Sequence, residues 1–187
     1  MRSDLCVWLD FIHKYNGSLN FMNANWLSND QLHLYTDSAG NHQLGCGVYF
    51  NGQWAYFEWP ACWKDLDIMS DITFLELVPI VLAVDLFKTQ FCDKKILFHT
   101  DNKALVSILN KKSSKSVRVM ELVRPLVLHS MIHNIYFKAC HIAGYNNAIA
   151  DSISRKQWTR FRAHAPKSRP HPIQFPEDFI EMISKLK

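Results

Sequence analysis

The stretch that most constrains this chain is residues 45–59. Two strand-like runs, Gly45–Phe50 and Trp54–Trp59, flank Asn51-Gly52. An Asn-Gly pair between such runs is a strong signal for a two-residue hairpin. Pro60 closes the second run, because proline cannot donate to a ladder. A third run, Gln31–Asp37, precedes the hairpin. Three strands in a meander are therefore predicted before the first long core helix.

After Pro60 the period changes. Residues 73–88 are apolar over four turns and read as a largely buried helix, with Pro79 expected to remove one backbone bond and bend it. Lys95–Thr100 reads as a short strand, and Asn102–Asn110 and Val117–Ile132 as helices. Asn134–His141 reads as another strand, Ala143–Asn147 as a polar loop and Ala148–Arg155 as a helix. The order β-β-β-α-β-α-α-β-α predicts an α/β fold with a five-stranded mixed sheet. The meander lies on one side, the parallel strands on the other, and helices cover the faces.

The flanks read differently. Leu5, Trp8, Leu9 and Ile12 recur at helical spacing, Asn16-Gly17 ends that helix, and a loop runs to about Asp30. Pro166, Pro170, Pro172 and Pro176 mark an extended tail, closed by a short amphipathic helix carrying Phe179, Ile183 and Leu186. The expected units are residues 1–30, 31–155 and 156–187.

Composition excludes several classes. At 187 residues, 48% apolar and 20% charged, the chain has ordinary globular usage rather than that of a disordered segment. No apolar run reaches the ~18–20 residues of a membrane span. Asp4, Asp10, His13 and Lys14 near the start are wrong for a signal peptide. Five cysteines without a Cys-x-x-Cys pair suit neither a disulfide framework nor a zinc ribbon. They suggest a reducing, intracellular setting, with cytoplasm and nucleus both open.

The net charge of +4 is uneven. Residues 1–154 carry 13 basic and 14 acidic side chains, and residues 155–187 carry 8 and 3. Arg155, Arg160 and Arg162 lie in an acid-free stretch with Trp158 and Phe161. Such a stretch suits phosphate pairing and base stacking or serves as a solvated linker. Lys111, Lys112, Lys115 and Arg118 form a smaller cluster that alone reads as a polar loop.

The acids fall at telling places. Asp37 and Asp101 each follow a threonine at the end of a predicted strand. Glu76 lies early in the long helix and Asp151 early in the last core helix. His141 ends the fifth strand, ten residues before Asp151. Each has a plainer reading. Asp37 and Asp101 suit turns, Thr73-x-x-Glu76 is a capping-box pattern, Asp151 suits a helix first turn, and His141 suits a structural hydrogen bond. Together they describe a pocket of four carboxylates, which repel unless cations neutralise them. Oxygen-only donors select Mg²⁺, or Mn²⁺ as a substitute. Two such ions roughly 3.5–4 Å apart form a clamp for in-line phosphoryl displacement.

The motifs YTDSAG, LELVPIVLA, FHTDNKALVSILN and HIAGYNNAIADSISR resemble those of a ribonuclease H domain. The last, His-x-x-Gly-x-x-Asn-x-x-Ala-Asp-x-x-Ser-Arg, resembles the version that follows a retroelement reverse transcriptase. More narrowly, the helix phrase with Pro79, the run NKKSSKSVR, the tail QWTRFRAHAP and the opening CVWLDFIHKYNG are similar to tyrosine-recombinase retrotransposons of the DIRS and Ngaro kind. The core resemblance spans about residues 31–155. It implies a ribonuclease H-like fold and hydrolysis of the RNA strand of RNA–DNA hybrids. Asp37, Glu76, Asp101 and Asp151 would bind two Mg²⁺ ions, with Asp37 bridging, Glu76 and Asp101 on the leaving-group side, and Asp151 on the nucleophile side. His141 would assist water attack and product release. Ser38 and Asn102 would face sugar or phosphate, and the two basic clusters would grip the hybrid. The partners implied are an upstream reverse transcriptase and a downstream recombinase, of which this chain reads as a fragment or a stand-alone domain. Two rivals share the scaffold: a catalytically silent nucleic-acid-binding or tethering module, and a transposase or exonuclease with differently arranged acids.

Overall fold

A computed structural model of the chain describes residues 2–14 and 25–186. The first helix, α1 (Arg2–Lys14), carries Leu5, Trp8, Leu9 and Ile12, and the Asn16-Gly17 stop lies outside the described residues. A helical turn, α2 (Asn29–Leu32), occupies the start of the first predicted strand. That strand begins only after His33, which adopts a left-handed backbone with φ of 50°.

The meander forms as predicted. β1 (Leu34–Ser38), β2 (Gly45–Phe50) and β3 (Gln53–Glu58) make an antiparallel sheet in the order β1-β2-β3. Asn51 and Gly52 turn the hairpin with φ of 45° and 84°, the two positive values a type I′ turn requires.

β4 (Lys95–Thr100) and β5 (Tyr136–His141) form a second, parallel sheet, with Lys95 opposite Tyr136 and Thr100 opposite His141. The five strands therefore do not make one mixed sheet. β1 packs beside β4, but among the described residues no ladder joins them. Part of β4's outer edge is taken by Leu27. Its N–H donates to Lys95 O (2.8 Å), and its carbonyl accepts from Leu97 N–H (2.9 Å). A stretch read as loop supplies a one-residue bridge on the edge that β1 would otherwise share.

The helices enclose both sheets. α3 (Ile72–Phe91) is buried over most of its surface, between the meander and α5 (Val117–Ile132). It passes through Pro79 without leaving helical geometry, and its backbone departs instead at Phe87 (φ −117°, ψ 15°). α4 (Lys103–Lys111) lies against β5, and α6 (Ala148–Ser154) covers the other face of the meander. No helix among the described residues is long and apolar enough to cross a membrane. All five cysteines are free.

The tail is packed rather than extended throughout. α7 (Trp158–His164) begins where a linker was expected and buries Phe161 against Trp54 and Ile153. Arg169 N–H donates to Gly52 O (2.7 Å) and Ile173 N–H to Trp54 O (2.8 Å), so the chain runs along β3. α8 (Glu177–Ser184) then buries Phe179 and Ile183, and Leu186 follows them into the main core.

Candidate active site

The end of β1 carries acid chemistry on both faces. Successive side chains of a strand alternate, and here Asp37 points to the α6 side while Ser38 points to α3. Asp37 Oδ2 accepts from Ser154 Oγ on α6 (2.7 Å). Ser38 Oγ donates to Glu76 Oε1 on α3 (2.9 Å). Asn147 Nδ2 anchors the loop before α6 to the same strand end, donating to Thr36 O (2.8 Å).

Gly47 lets α6 come this close. It lies directly opposite Asp37 in the ladder. A Cβ there would stand 2.7 Å from Ile153 Cβ and 2.8 Å from Ala150 O. The strand therefore offers α6 a flat seat, and the helix carries Asp151 and Ser154 toward Asp37.

Glu76 is not part of a capping box. The N-cap of α3 is Asp71, whose Oδ1 accepts from Phe74 N–H (3.0 Å). Thr73 instead accepts from Asn102 Nδ2 (3.3 Å), while Asn102 Oδ1 caps α4 through Leu105 N–H (3.0 Å). Asn102 thus ties the start of α4 to the turn of α3 that bears Glu76.

Asp101, just beyond β4, is exposed, with its carboxylate beside Gly144. A Cβ on that glycine would meet Asp101 Oδ2 at 2.9 Å. His141 is exposed at the end of β5, opposite Thr100.

Electrostatics divide the four acids. Burial pushes Asp37 up to about 7, with the Asp151 and Asp101 charges adding to the rise and the Ser154 bond and the Arg155 charge opposing it. Burial also pushes Glu76 up to about 8, helped by the Asp37 charge and opposed by Ser38. Neither has a cationic side chain in ion-pair contact among the described residues. Asp151 is the opposite case. Its partial burial would raise it, but bonds from Arg155 Nε (2.6 Å) and Arg160 NH1 outweigh that and hold it below the usual range.

The expected nucleic-acid contacts scatter. Lys111 and Lys115 are exposed around the end of α4. Lys112 caps α4 in a left-handed conformation, with its ammonium 4.8 Å from the Phe137 ring centroid. Arg118 pairs with Asp67 (2.6 Å). Arg155 and Arg160 hold Asp151. Arg162 turns inward, donating to Ser168 Oγ (2.6 Å) and to the carbonyls of Arg169 and Pro170 (both 2.7 Å), with its guanidinium over Trp54. Ser154, Gly47 and Gly144 had no assigned role from sequence, and Thr73 was read only as one end of a capping box. A usable signal existed for Ser154, a polar side chain three residues past Asp151 on a helix with apolar neighbours.

The donor set fits a hard divalent cation in its chemistry. It is all oxygen, and two of its members are desolvated and repel one another. Its spacing is not that of a finished site: among the described residues no three His, Cys, Asp or Glu side chains meet closely enough to hold a metal. The site is an open strand end. A cavity of about 490 Å³ lies elsewhere, lined by residues of α1, α5 and β5.

No family model and no curated protein matches the chain. Among solved structures, ribonuclease H1 of the halophilic archaeon Halobacterium salinarum superposes with a TM-score of 0.47 at 13% identity, covering 72% of this chain and 98% of that one. Likeness at that level is no argument for chemistry, which rests on the residues themselves.

Proposed function

We propose that this chain is a ribonuclease H-type endonuclease, hydrolysing the RNA strand of RNA–DNA hybrids to 5′ phosphate and 3′ hydroxyl ends. One observation carries the reading: Asp37 and Glu76 are desolvated and repel one another at one strand end, and among the described residues no cationic side chain forms an ion pair with either. A fold keeps such an arrangement at a cost in stability, and a divalent cation relieves it.

Asp37, Glu76, Asp101 and Asp151 are the residues that would hold Mg²⁺, or Mn²⁺ in its place. When bound, the metal pair supplies acidification of the attacking water and charge stabilisation at the leaving oxygen. The protein's own groups do the positioning. Ser154 fixes one oxygen of Asp37, and Ser38 fixes one oxygen of Glu76. His141, exposed at the end of β5, would exchange a proton with water or product. Recognition of the RNA strand requires contact with 2′-hydroxyls in the wide minor groove. The strand-end residues from Ser38 to Gly40, together with Asn102, supply donors and acceptors for it. Lys111 and Lys115 are the exposed cations for phosphate. A place in a retroelement polyprotein, after a reverse transcriptase and before a recombinase, rests on the sequence motifs alone.

The test is cleavage of an end-labelled RNA–DNA hybrid in Mg²⁺, beside duplex DNA and duplex RNA. Hybrid-only cleavage, abolished by Asp101→Asn, is the expected result. An Asp101→Asn protein that cleaves at the wild-type rate overturns the assignment. A second reading, a silent module that binds hybrid without cutting it, is favoured by the engagement of Asp151 with two arginines. Hybrid retained but uncut in Mg²⁺ would select it.

A further inference from the structure

Among the described residues, Asp151 is the one member of the acidic quartet held in ion pairs. Arg155 Nε donates to Oδ1 (2.6 Å), and Arg160 NH1 donates to Oδ2. Each oxygen of the carboxylate therefore carries a guanidinium. The two arginines come from different elements: Arg155 caps α6, and Arg160 lies in the first turn of α7. Gln157 Oε1 accepts a further bond from Arg160 NH1 (2.9 Å), which steadies its side chain. Both arginines remain about half exposed, at 49% and 45%, whereas Asp151 is 23% exposed. The donors reach solvent, and the acceptor is shielded beneath them.

We propose that Arg155 and Arg160 form a latch on Asp151, opened by a nucleic-acid backbone phosphate. The inference rests on the nuclease reading above and adds a control to it. Guanidinium binds phosphate in the same forked, charge-assisted manner as it binds carboxylate. An incoming backbone phosphate can replace Asp151 as the acceptor for one or both arginines. Asp151 is then released to join Asp37 as a cation ligand. In the free protein the fourth acid is withheld, so the complete site forms only with substrate seated. Arg155 and Arg160 are positioning residues here, acting on the reaction through Asp151.

The experiment is calorimetric titration of the free, full-length chain with Mn²⁺, with no nucleic acid present. Four proteins form a cycle: wild type, Arg155→Gln/Arg160→Gln, Asp151→Asn, and all three changes together. Half-exposed side chains of this kind are removable without unfolding the chain, and circular dichroism checks that they were. The double arginine variant is expected to bind Mn²⁺ roughly tenfold more tightly than wild type, the scale of two part-exposed ion pairs. Adding Asp151→Asn should abolish that gain, so that the triple variant binds Mn²⁺ no more tightly than Asp151→Asn alone. Such a cycle isolates the interaction from the simple loss of positive charge. A gain that survives Asp151→Asn is general electrostatics and overturns the latch. Equal affinity in all four overturns the latch while leaving the metal reading standing. Absence of Mn²⁺ binding in all four overturns both.

Discussion

Asp37 and Asp151 lie on two elements packed face to face, yet the chain treats them in opposite ways. Asp37 and its neighbour Glu76 are desolvated, each takes a serine hydroxyl bond, and among the described residues neither is ion-paired to a cationic side chain. Asp151 is clamped by two arginines. Serine hydroxyls can orient a carboxylate without neutralising it, so the first pair keeps its repulsion available to an incoming ion. Arginines neutralise as they orient, so the second site must exchange a partner before it can bind anything else. On the proposed reading, one strand end is prepared for a cation, and the acid on the helix opposite is held back.

Glu76→Gln tests the first half most severely. The amide is nearly the same shape and can still accept from Ser38 Oγ, so the fold is expected to persist. Cleavage should fall by about a thousandfold or more, since losing a metal ligand forfeits several kcal/mol of charge stabilisation. The metal-free variant should also be more stable than wild type at pH 8, because one buried charge is gone. An active Glu76→Gln enzyme, measured on labelled hybrid, removes Glu76 from the chemistry.

Titration separates the two halves by sign. Asp37 and Glu76 have raised folded values, near 7 and 8 against ordinary values of 3.8 and 4.5. Their contribution to stability is fully present below about 4 and is lost as pH rises through 7 to 8. Asp151 has a lowered folded value. Its contribution is present above 3.8 and is lost as pH falls through its folded value. Urea midpoints of metal-free protein should therefore decline from pH 5 to pH 8.5, and Mg²⁺ should restore the alkaline side by replacing the protons. Asp37→Asn/Glu76→Gln should flatten that decline. A metal-free stability that rises across this range contradicts the desolvated-pair description.

The seat that brings the halves together gives a smaller effect. Gly47→Ala places a methyl against Ile153 Cβ and the Ala150 carbonyl at 2.7–2.8 Å. Backbone cannot yield there as a side-chain tip can. Overpacking of this kind costs about 1–3 kcal/mol, read as a lower urea midpoint, and α6 should shift away from Asp37.

How far these features are legible in sequence depends on their range. The hairpin was plain because Asn51-Gly52 fixes its turn through local backbone preference. The spans of β2, β4 and α5 matched for a similar reason, each being a periodic run with marked ends. The division into a three-stranded and a two-stranded sheet was not legible, and neither was the bridge by which Leu27 reaches β4 from about 70 positions away. The tail misled for a related reason. Its arginines and prolines have the composition of a linker, but Arg162 and Phe161 find partners in a strand more than a hundred residues earlier. At the candidate site the four acids could be named from strand ends and motif. Their states could not, because whether a carboxylate meets a serine or an arginine is a fact of packing.

Gly144 gives the finest test of the contrast, since it touches an acid that neither half controls. A Cβ there stands 2.9 Å from Asp101 Oδ2 and has no other close neighbour except the same carboxylate's carbon at 3.9 Å. The neighbour is the tip of a rotatable, exposed side chain, so it can swing aside at little energetic cost. Gly144→Ala should therefore change stability by less than about 0.5 kcal/mol. The direction of the Asp101 carboxylate should change, and a displacement near 1 Å in a reacting constellation lowers rate by roughly ten- to a hundredfold. The loss should appear in kcat rather than KM, and in an Asp101→Asn background the added methyl should leave hybrid affinity unaltered. A stability loss as large as that of Gly47→Ala would mean that Gly144 is held by backbone packing. An unchanged kcat would mean that Asp101 takes its working position from something other than the space this glycine leaves.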